Sequence, residues 1–295
     1  MDICDIYNSP IQVSLEDTEL YLFLCQLFNE NSLYIEDLDL CYKYVDKRSL
    51  EKRYRGTTHA LAVTFNTISL IKIALKENTD NFQVTICNAM IREIIFISMF
   101  HDMLDDKFCT DKAEDYIDNI EREIRELLTN RKITKYSIDM ILEIINNISF
   151  NKQKRGELEE YTVMPTIQRA LWTWVSTGDF IEAIGYYGIV RAFQFIEVAK
   201  DNYKHLKAGD YPAYLEEVIK HMEEKLLLII PSYMKINIAT KIFQPFQRQM
   251  EIFYSRCRRG DTECCLQEIL RDKQDGYKAN GKNILLTYLK IHNIL

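Results

Sequence analysis

The sequence predicts an all-α fold. Nine glycines and five prolines in 295 residues leave few places where the backbone is told to stop or turn. Apolar residues recur at intervals of three and four over most of the chain, the signature of helices with one buried face. No stretch alternates apolar and polar residues convincingly enough to read as a sheet strand. The length is ample for a large hydrophobic core.

In chain order, "SLEDTELYLFLCQLF" (14–28) places Leu20, Leu22, Phe23, Leu27 and Phe28 at helical spacing, with Ser14 and Asp17 set as a capping box. "HALAVTFNTISLIKIAL" (59–75) is apolar almost throughout and predicts a central helix, with Val63, Ile71, Ala74 and Leu75 on its inward face. "NFQVTICNAMIREIIFISMFHDML" (81–104) reads as a second buried helix. "AEDYIDNIEREIRELLTN" (113–130) repeats Ile117, Ile120, Ile124 and Leu127 between charges, so it is an amphipathic surface helix. "TKYSIDMILEIINNISF" (134–150) is helical, and so is the long run from Met164 to Ala199, which carries glycines at 178, 185 and 188. "YPAYLEEVIKHMEEKLLLI" and "MKINIATKIFQPFQRQMEIFYSRC" come next, both helical by period. The last stretch is charged and punctuated by Gly260, Gly276 and Gly281.

Composition excludes several function classes. Lys and Arg number 37 against 44 Asp and Glu, a net charge of −7. An acidic chain without a basic block is a poor match for nucleic acid or an anionic membrane. The eight cysteines form no C-x-x-C pair and are expected to be free, buried thiols in a reducing compartment. The start lacks the basic and apolar regions of a secretory signal. The most hydrophobic short run, "LLLII" at 226–230, falls far short of the ~18 apolar residues of a membrane span. A cytoplasmic location is the expectation.

The chemistry gathers at "FHDMLDDKF" (100–108), five ionisable groups directly after an apolar run. Such a segment is either a solvated helix end or part of a metal site. Of five histidines, His59 and His101 lie in or beside apolar helices. Asp102 comes directly after His101, about 100° round a helix, so both reach one ion only if it sits between their directions. Asp179 is a carboxylate flanked by apolar helix, and burial there calls for a metal or a cation beside it. Imidazole and carboxylate donors suit Mn²⁺, Fe²⁺, Co²⁺ or Zn²⁺, and the lack of thiolates argues against a structural zinc site.

His59, the His101–Asp102 pair and Asp179 reproduce the H…HD…D order of the HD-domain metal-dependent phosphohydrolases. The flanks resemble a soluble branch that includes bacterial nucleotide pyrophosphohydrolases. "FHDMLDDKF" is similar to that branch's "LHDxxDxKY" and "IINNISF" (144–150) to its "IIxNISF". "GDFIEAIGYYGIVRAF" (178–193) is similar to "ADRLDAIGAIGIARAF", and "HMEEKLL" (221–227) to "HFYEKLL". The resemblance runs from about residue 54 to 257. It implies an HD helical bundle over 51–257, with extra segments at 1–50 and 258–295. The departures are local. The branch's "HDxxHxxRV" is here "RGTTHALAV", with Arg55 and Gly56 for the leading His-Asp and Ala62 for the Arg. Thr177 stands where the branch often has Asp, and Glu182 where it has Asp.

The resemblance implies metal ligation by His59, His101, Asp102 and Asp179. The ion would be a divalent metal, Mn²⁺ first, with Fe²⁺, Co²⁺, Ni²⁺, Zn²⁺ or Mg²⁺ as alternatives. It implies that Asp105 holds or deprotonates the attacking water and that Lys107 meets a substrate phosphate. Lys225, Glu182, Arg191 and His221 would line the substrate. The implied reaction is hydrolysis of a small phosphorylated molecule, with a nucleoside triphosphate giving monophosphate and pyrophosphate as the first expectation. Two alternatives stay open: a catalytically weak nucleotide- or protein-binding module, which the changes at Arg55, Gly56, Ala62 and Thr177 motivate, and a phosphodiesterase or 5′-nucleotidase. No nucleic-acid or membrane partner is expected; a homodimer is allowed.

Overall fold

A computed structural model describes residues 15–29, 31–52, 56–104, 113–150, 153, 164–198, 203, 205–275 and 281–295. Among these residues there are thirteen α-helices and no strand, as the apolar periodicity requires. The chain divides into two compact units, Met1–Gly178 with Leu289–Leu295, and Asp179–Tyr288.

The first unit holds α1 (Leu15–Leu27), α2 (Ser32–Lys52), α3 (Gly56–Lys76), α4 (Asn81–Ala89), α5 (Ile91–Phe100), α6 (Ala113–Asn130), α7 (Lys135–Asn147) and most of α8 (Thr166–Ile181). Helix α3 is central, packing on α1, α2, α4 and α5. Leu61, Val63, Phe65, Ile68, Leu70 and Ile71 are fully buried around it, so no face of α3 is left for solvent over most of its length. By length and composition it could cross a membrane, but 78% of its apolar window is buried inside the protein, as in a core helix. Leu75 departs from the expected inward face and is 37% exposed at the helix end.

Helix α5 packs on α2, α3 and α7. The apolar period joins it to α4 as one helix; the structure breaks them at Met90 (φ −116°, ψ 39°), with an 83° bend. Both arms are apolar, so the 3.6-residue period runs on through the break and hides it. Helix α2 falls in the expected helical extension 1–50, where the sequence reading set no bounds for it; Leu38, Cys41, Tyr42 and Val45, all buried, form a three- and four-residue stripe. Asn31 caps it, its side-chain oxygen accepting from the N–H groups of Leu33 and Tyr34 at 3.1 and 3.4 Å. Of the expected capping box on α1, Ser14 lies outside the described residues; the buried Asp17 carboxylate accepts from the Tyr42 hydroxyl at 2.9 Å.

One ion cluster ties α2, α5 and the end of α6 together. Asp37, fully buried, accepts from Arg92 Nε and Arg131 Nε, each at 2.6 Å. Arg92 also donates to the Arg131 carbonyl at 3.2 Å, and Arg131 to Glu36 at 3.0 Å. Two guanidinium groups thus offset the burial of one carboxylate.

The second unit holds the last residues of α8, then α9 (Gly185–Val198), α10 (Tyr211–His221), two π-turns (Met222–Leu226 and Ile229–Tyr233), α11 (Asn237–Arg258), α12 (Thr262–Asp275) and most of α13 (Gly281–Ile291). Helix α9 packs on α10, α11 and α12. The expected run from Met164 to Ala199 is split before Gly185, whose φ of +72° and close approach to the Phe246 ring leave no room for a side chain. Gly260 (φ +92°) ends α11 in the same left-handed manner, its N–H bonding the Cys257 carbonyl at 3.1 Å. Among the described cysteines none is bonded to another, and Cys41, Cys87, Cys257 and Cys265 are buried as expected. Cys25 is only half-buried, and Cys264 is exposed because it falls on the outer side of α12. Cys4 and Cys109 lie outside the described residues.

Candidate metal centre

Helix α3 carries His59 in its first turn, and His101 and Asp102 come just after the last residue of α5. Because α3 and α5 pack side by side, the start of one and the end of the other bring these residues together. His101 Nε2 lies 3.2 Å from His59 Nε2. Asp102 Oδ2 lies 3.7 Å from His59 Nε2 and 3.6 Å from His101 Nε2. Three ligand atoms therefore occupy one small volume. His101 is 4% exposed and the other two are half-buried, so the cluster is open on one side.

The tautomer of His101 is set by its neighbour. His101 Nδ1 lies 2.7 Å from the backbone carbonyl oxygen of Ser98. A carbonyl only accepts, so Nδ1 carries the proton and the Nε2 lone pair faces the cluster. This is the outer partner that orients a ligating imidazole. The separations suit a shared ion: two donors each about 2.1 Å from one ion and at right angles sit about 3.0 Å apart. The donor set, two imidazole nitrogens and a carboxylate oxygen, fits a divalent transition metal.

Two residues without a motif of their own hold the helices in this register. The Thr64 hydroxyl lies 2.9 Å from Ser98 Oγ and 2.8 Å from the Ala60 carbonyl. Ser98 Oγ in turn lies 2.5 Å from the Ile94 carbonyl. Both hydroxyls are fully buried, so a slip of α3 along α5 would break bonds that water cannot replace. Their signal in the sequence is slight: lone hydroxyl residues inside "AVTFN" and "FISMF".

The other expected site residues lie in the second unit or outside the described residues. Asp105, Asp106 and Lys107 lie outside the described residues. Asp179 opens the second unit, half-buried on α8. The preceding residue, Gly178, ends the first unit against α3: a Cβ there would lie 2.1 Å from Thr67 Oγ1, and its carbonyl accepts from Asn66 Nδ2 at 3.1 Å. In the second unit the buried Glu182 pairs with the half-buried Arg191. Arg191 donates to the Glu182 carbonyl at 2.8 Å and lies 3.7 Å from its carboxylate. The Arg191 guanidinium also stands 5.8 Å from the centre of the Tyr187 ring. Lys225 is in the first π-turn and His221 ends α10, both half-buried. Of the departures from the family pattern, Gly56 starts α3, Ala62 is buried and the buried Thr177 hydroxyl donates to the Thr173 carbonyl at 2.8 Å. Arg55 is outside the described residues. Trp172 and Trp174 are core residues, 5% and 0% exposed.

No protein-family model matches the chain. No curated protein matches it either. Among solved structures, the chain is similar to selenomethionine YpgQ from Bacillus subtilis, with a TM-score of 0.51 at 21% identity, over 77% of this chain and 96% of that one. Two further crystal structures of Bacillus subtilis YpgQ, one of them in complex with ADP, align over the same shares with TM-scores of 0.49. The likeness to the selenomethionine structure shows a shared all-helical fold.

Proposed function

We propose that this chain is a metal-dependent phosphohydrolase that cleaves a phosphoester or phosphoanhydride bond in a small molecule, a nucleotide first. The observation that carries the reading is the convergence of His59, His101 and Asp102, with the His101 proton held on the far nitrogen. The H…HD…D order and its flanks name the chemistry such a cluster serves, that of the HD-domain phosphohydrolases. A divalent ion bound there would supply Lewis acidity toward a phosphoryl oxygen and a lowered pKa for water. His59, His101 and Asp102 would hold the ion, and the family resemblance gives Asp179 as the fourth ligand. Asp105, three residues after Asp102 in the sequence, would orient the attacking water and take its proton. Lys107 and Lys225 offset the charge on the nonbridging phosphate oxygens.

The test is a screen of nucleotides and phosphoesters with Mn²⁺, Mg²⁺, Co²⁺ and Ni²⁺, products being resolved by chromatography. Asp105→Asn should keep its metal while kcat falls roughly 10²- to 10⁴-fold, the range for lost general acid–base help. Asp106→Asn, at a position that the family motif does not match, should cost little. Loss of metal by Asp105→Asn would make Asp105 a ligand and overturn its assigned role. The binding-module reading rests on Gly56 and Ala62: the buried methyl of Ala62 offers no cation where the family branch has Arg. Tight metal uptake with no turnover of any substrate would favour that reading.

A further inference from the structure

The far end of α3 borders a cavity of about 300 Å³. Its walls are Leu27 and Phe28 at the end of α1, Asn31 and Tyr34 at the start of α2, Lys72 on α3 and Ile91 on α5. Lys72 is thirteen residues beyond His59 on the same helix. At 1.5 Å and 100° per residue, it stands about 20 Å along the axis and about 220° round it. The cavity is therefore separate from the metal centre, and a ligand bound in it is independent of the proposed activity.

Three of the walls are apolar and well buried: Leu27, Phe28 and Ile91 are 2%, 4% and 3% exposed. Tyr34 stands edge-on to Phe28, with ring centres 5.7 Å apart at 71°. The polar elements are Asn29, Asn31 and Lys72, of which Lys72 alone is charged. Its ammonium reaches only the Asn88 amide oxygen, at 3.5 Å, and no carboxylate among the described residues stands in ion-pair range. The Asn31 side-chain oxygen is engaged by the N–H groups of Leu33 and Tyr34. The start of α2 adds the positive end of a helix dipole to the same cavity. The space thus combines a mixed polar and apolar lining with a half-buried cation whose burial holds its pKa below the usual lysine range. Its volume is at the lower end of small-molecule sites.

We propose that this cavity binds a small organic anion, a carboxylate on a short aromatic or aliphatic body, with Lys72 as the charge partner and Phe28, Tyr34 and Ile91 packed on the body. A hydrated inorganic anion would leave the apolar walls unused, and a neutral hydrocarbon would leave the ammonium buried without a partner.

Benzoate and benzamide, alike in shape and different in charge, are the probes. Titrated by NMR into the full-length protein, benzoate should bind at least tenfold more tightly than benzamide. Lys72→Met, which keeps the length of the side chain, should lose that preference and leave benzamide unchanged. Asp102→Ala should bind benzoate as the parent protein does, because the metal centre is not involved. The pH dependence has a fixed sign. Benzoate needs the ammonium form, so its affinity should be constant below the Lys72 pKa and fall up to tenfold per pH unit above it. In the unliganded protein Lys72 binds fewer protons folded than unfolded, so stability should rise with pH between its folded and unfolded pKa values, and Lys72→Met should remove that rise. Equal binding of the two probes, unchanged benzoate affinity in Lys72→Met, or no binding of benzoate at all would each overturn the proposal. Loss of benzoate binding in Asp102→Ala alone would assign the anion to the metal centre and overturn it as well.

Discussion

Helix α5 has a polar cluster at each end, and the two are built on opposite rules. At its start, the Asp37 carboxylate is enclosed by Arg92 and Arg131, with contacts of 2.6 Å to each. Every strong acceptor there faces a donor. At its end, ligand atoms of His59, His101 and Asp102 converge, separated by 3.2 to 3.7 Å. The first arrangement is electrostatically closed and needs nothing further. The second gathers three possible metal ligands with the His101 proton directed away, an arrangement that a cation among them would stabilise. The saturated cluster holds the scaffold; the convergent one is where chemistry is expected.

The largest expected effect is at the saturated end. Asp37→Ala leaves two guanidinium groups partly buried without their shared partner. Breaking a buried pair from one side costs about 3–5 kcal/mol. Urea unfolding should show that loss as a lower midpoint, with metal affinity preserved in the protein that remains folded. A change below about 1 kcal/mol would mean that water reaches both arginines and that the cluster is not the structural clamp described.

At the convergent end the signs reverse. Asp102→Ala removes a carboxylate that is 20% exposed, where that of Asp37 is 0% exposed, so the metal-free protein should lose less stability than Asp37→Ala does. What it should lose is the response to metal. At Mn²⁺ about one hundred times its Kd, the parent protein should gain about 2.7 kcal/mol, and Asp102→Ala should gain close to nothing. Chelation should return the parent to the variant's level. A variant that still answered to Mn²⁺ would show that the ion binds elsewhere. A variant as damaged as Asp37→Ala would make the cluster structural.

The contrast also explains which features the sequence makes legible. The saturated cluster is invisible there: Asp37, Arg92 and Arg131 are separated by scores of residues and look like ordinary surface charges. Their meaning comes only from the packing of α2 and α5. The convergent cluster is legible because two of its members are adjacent, His101–Asp102, at the end of an apolar run, and His59 begins another. The helices themselves are legible wherever one face is buried, as in α6 and α7, and in α3 because it is apolar almost throughout. The period fails where burial continues on both sides of a break, at Met90, and at Gly185, where a positive φ splits an apolar run. It is obscured in α2, where charges interrupt the stripe. Thr64 and Ser98 escape notice because a buried hydroxyl has no spacing rule; its role appears only when its partner on the next helix is known.

The smallest effect sharpens the comparison, because it keeps the ion pair and changes only its surroundings. Arg125 on α6 meets Asp139 on α7 at 2.5 Å, a contact as short as those of Asp37. Here the side chains are 41% and 50% exposed, whereas that of Asp37 is 0% exposed. Water solvates both partners when they separate and salt screens them when they meet, so the net gain of such a pair is about 0.2–1 kcal/mol. The Asp139 pairing holds the Arg125 guanidinium above its ordinary pKa, a direction set first by that hydrogen bond. The group is charged at every accessible pH in either state, so the shift has no bearing on stability near neutrality. Asp139→Asn should therefore lower stability by no more than about 1 kcal/mol, and the loss should shrink further in about 1 M salt. Measured beside Asp37→Ala, the difference isolates burial from geometry. If Asp139→Asn cost as much as Asp37→Ala, contact distance rather than enclosure would govern the α5 clusters, and the distinction between a closed and an open cluster would fail.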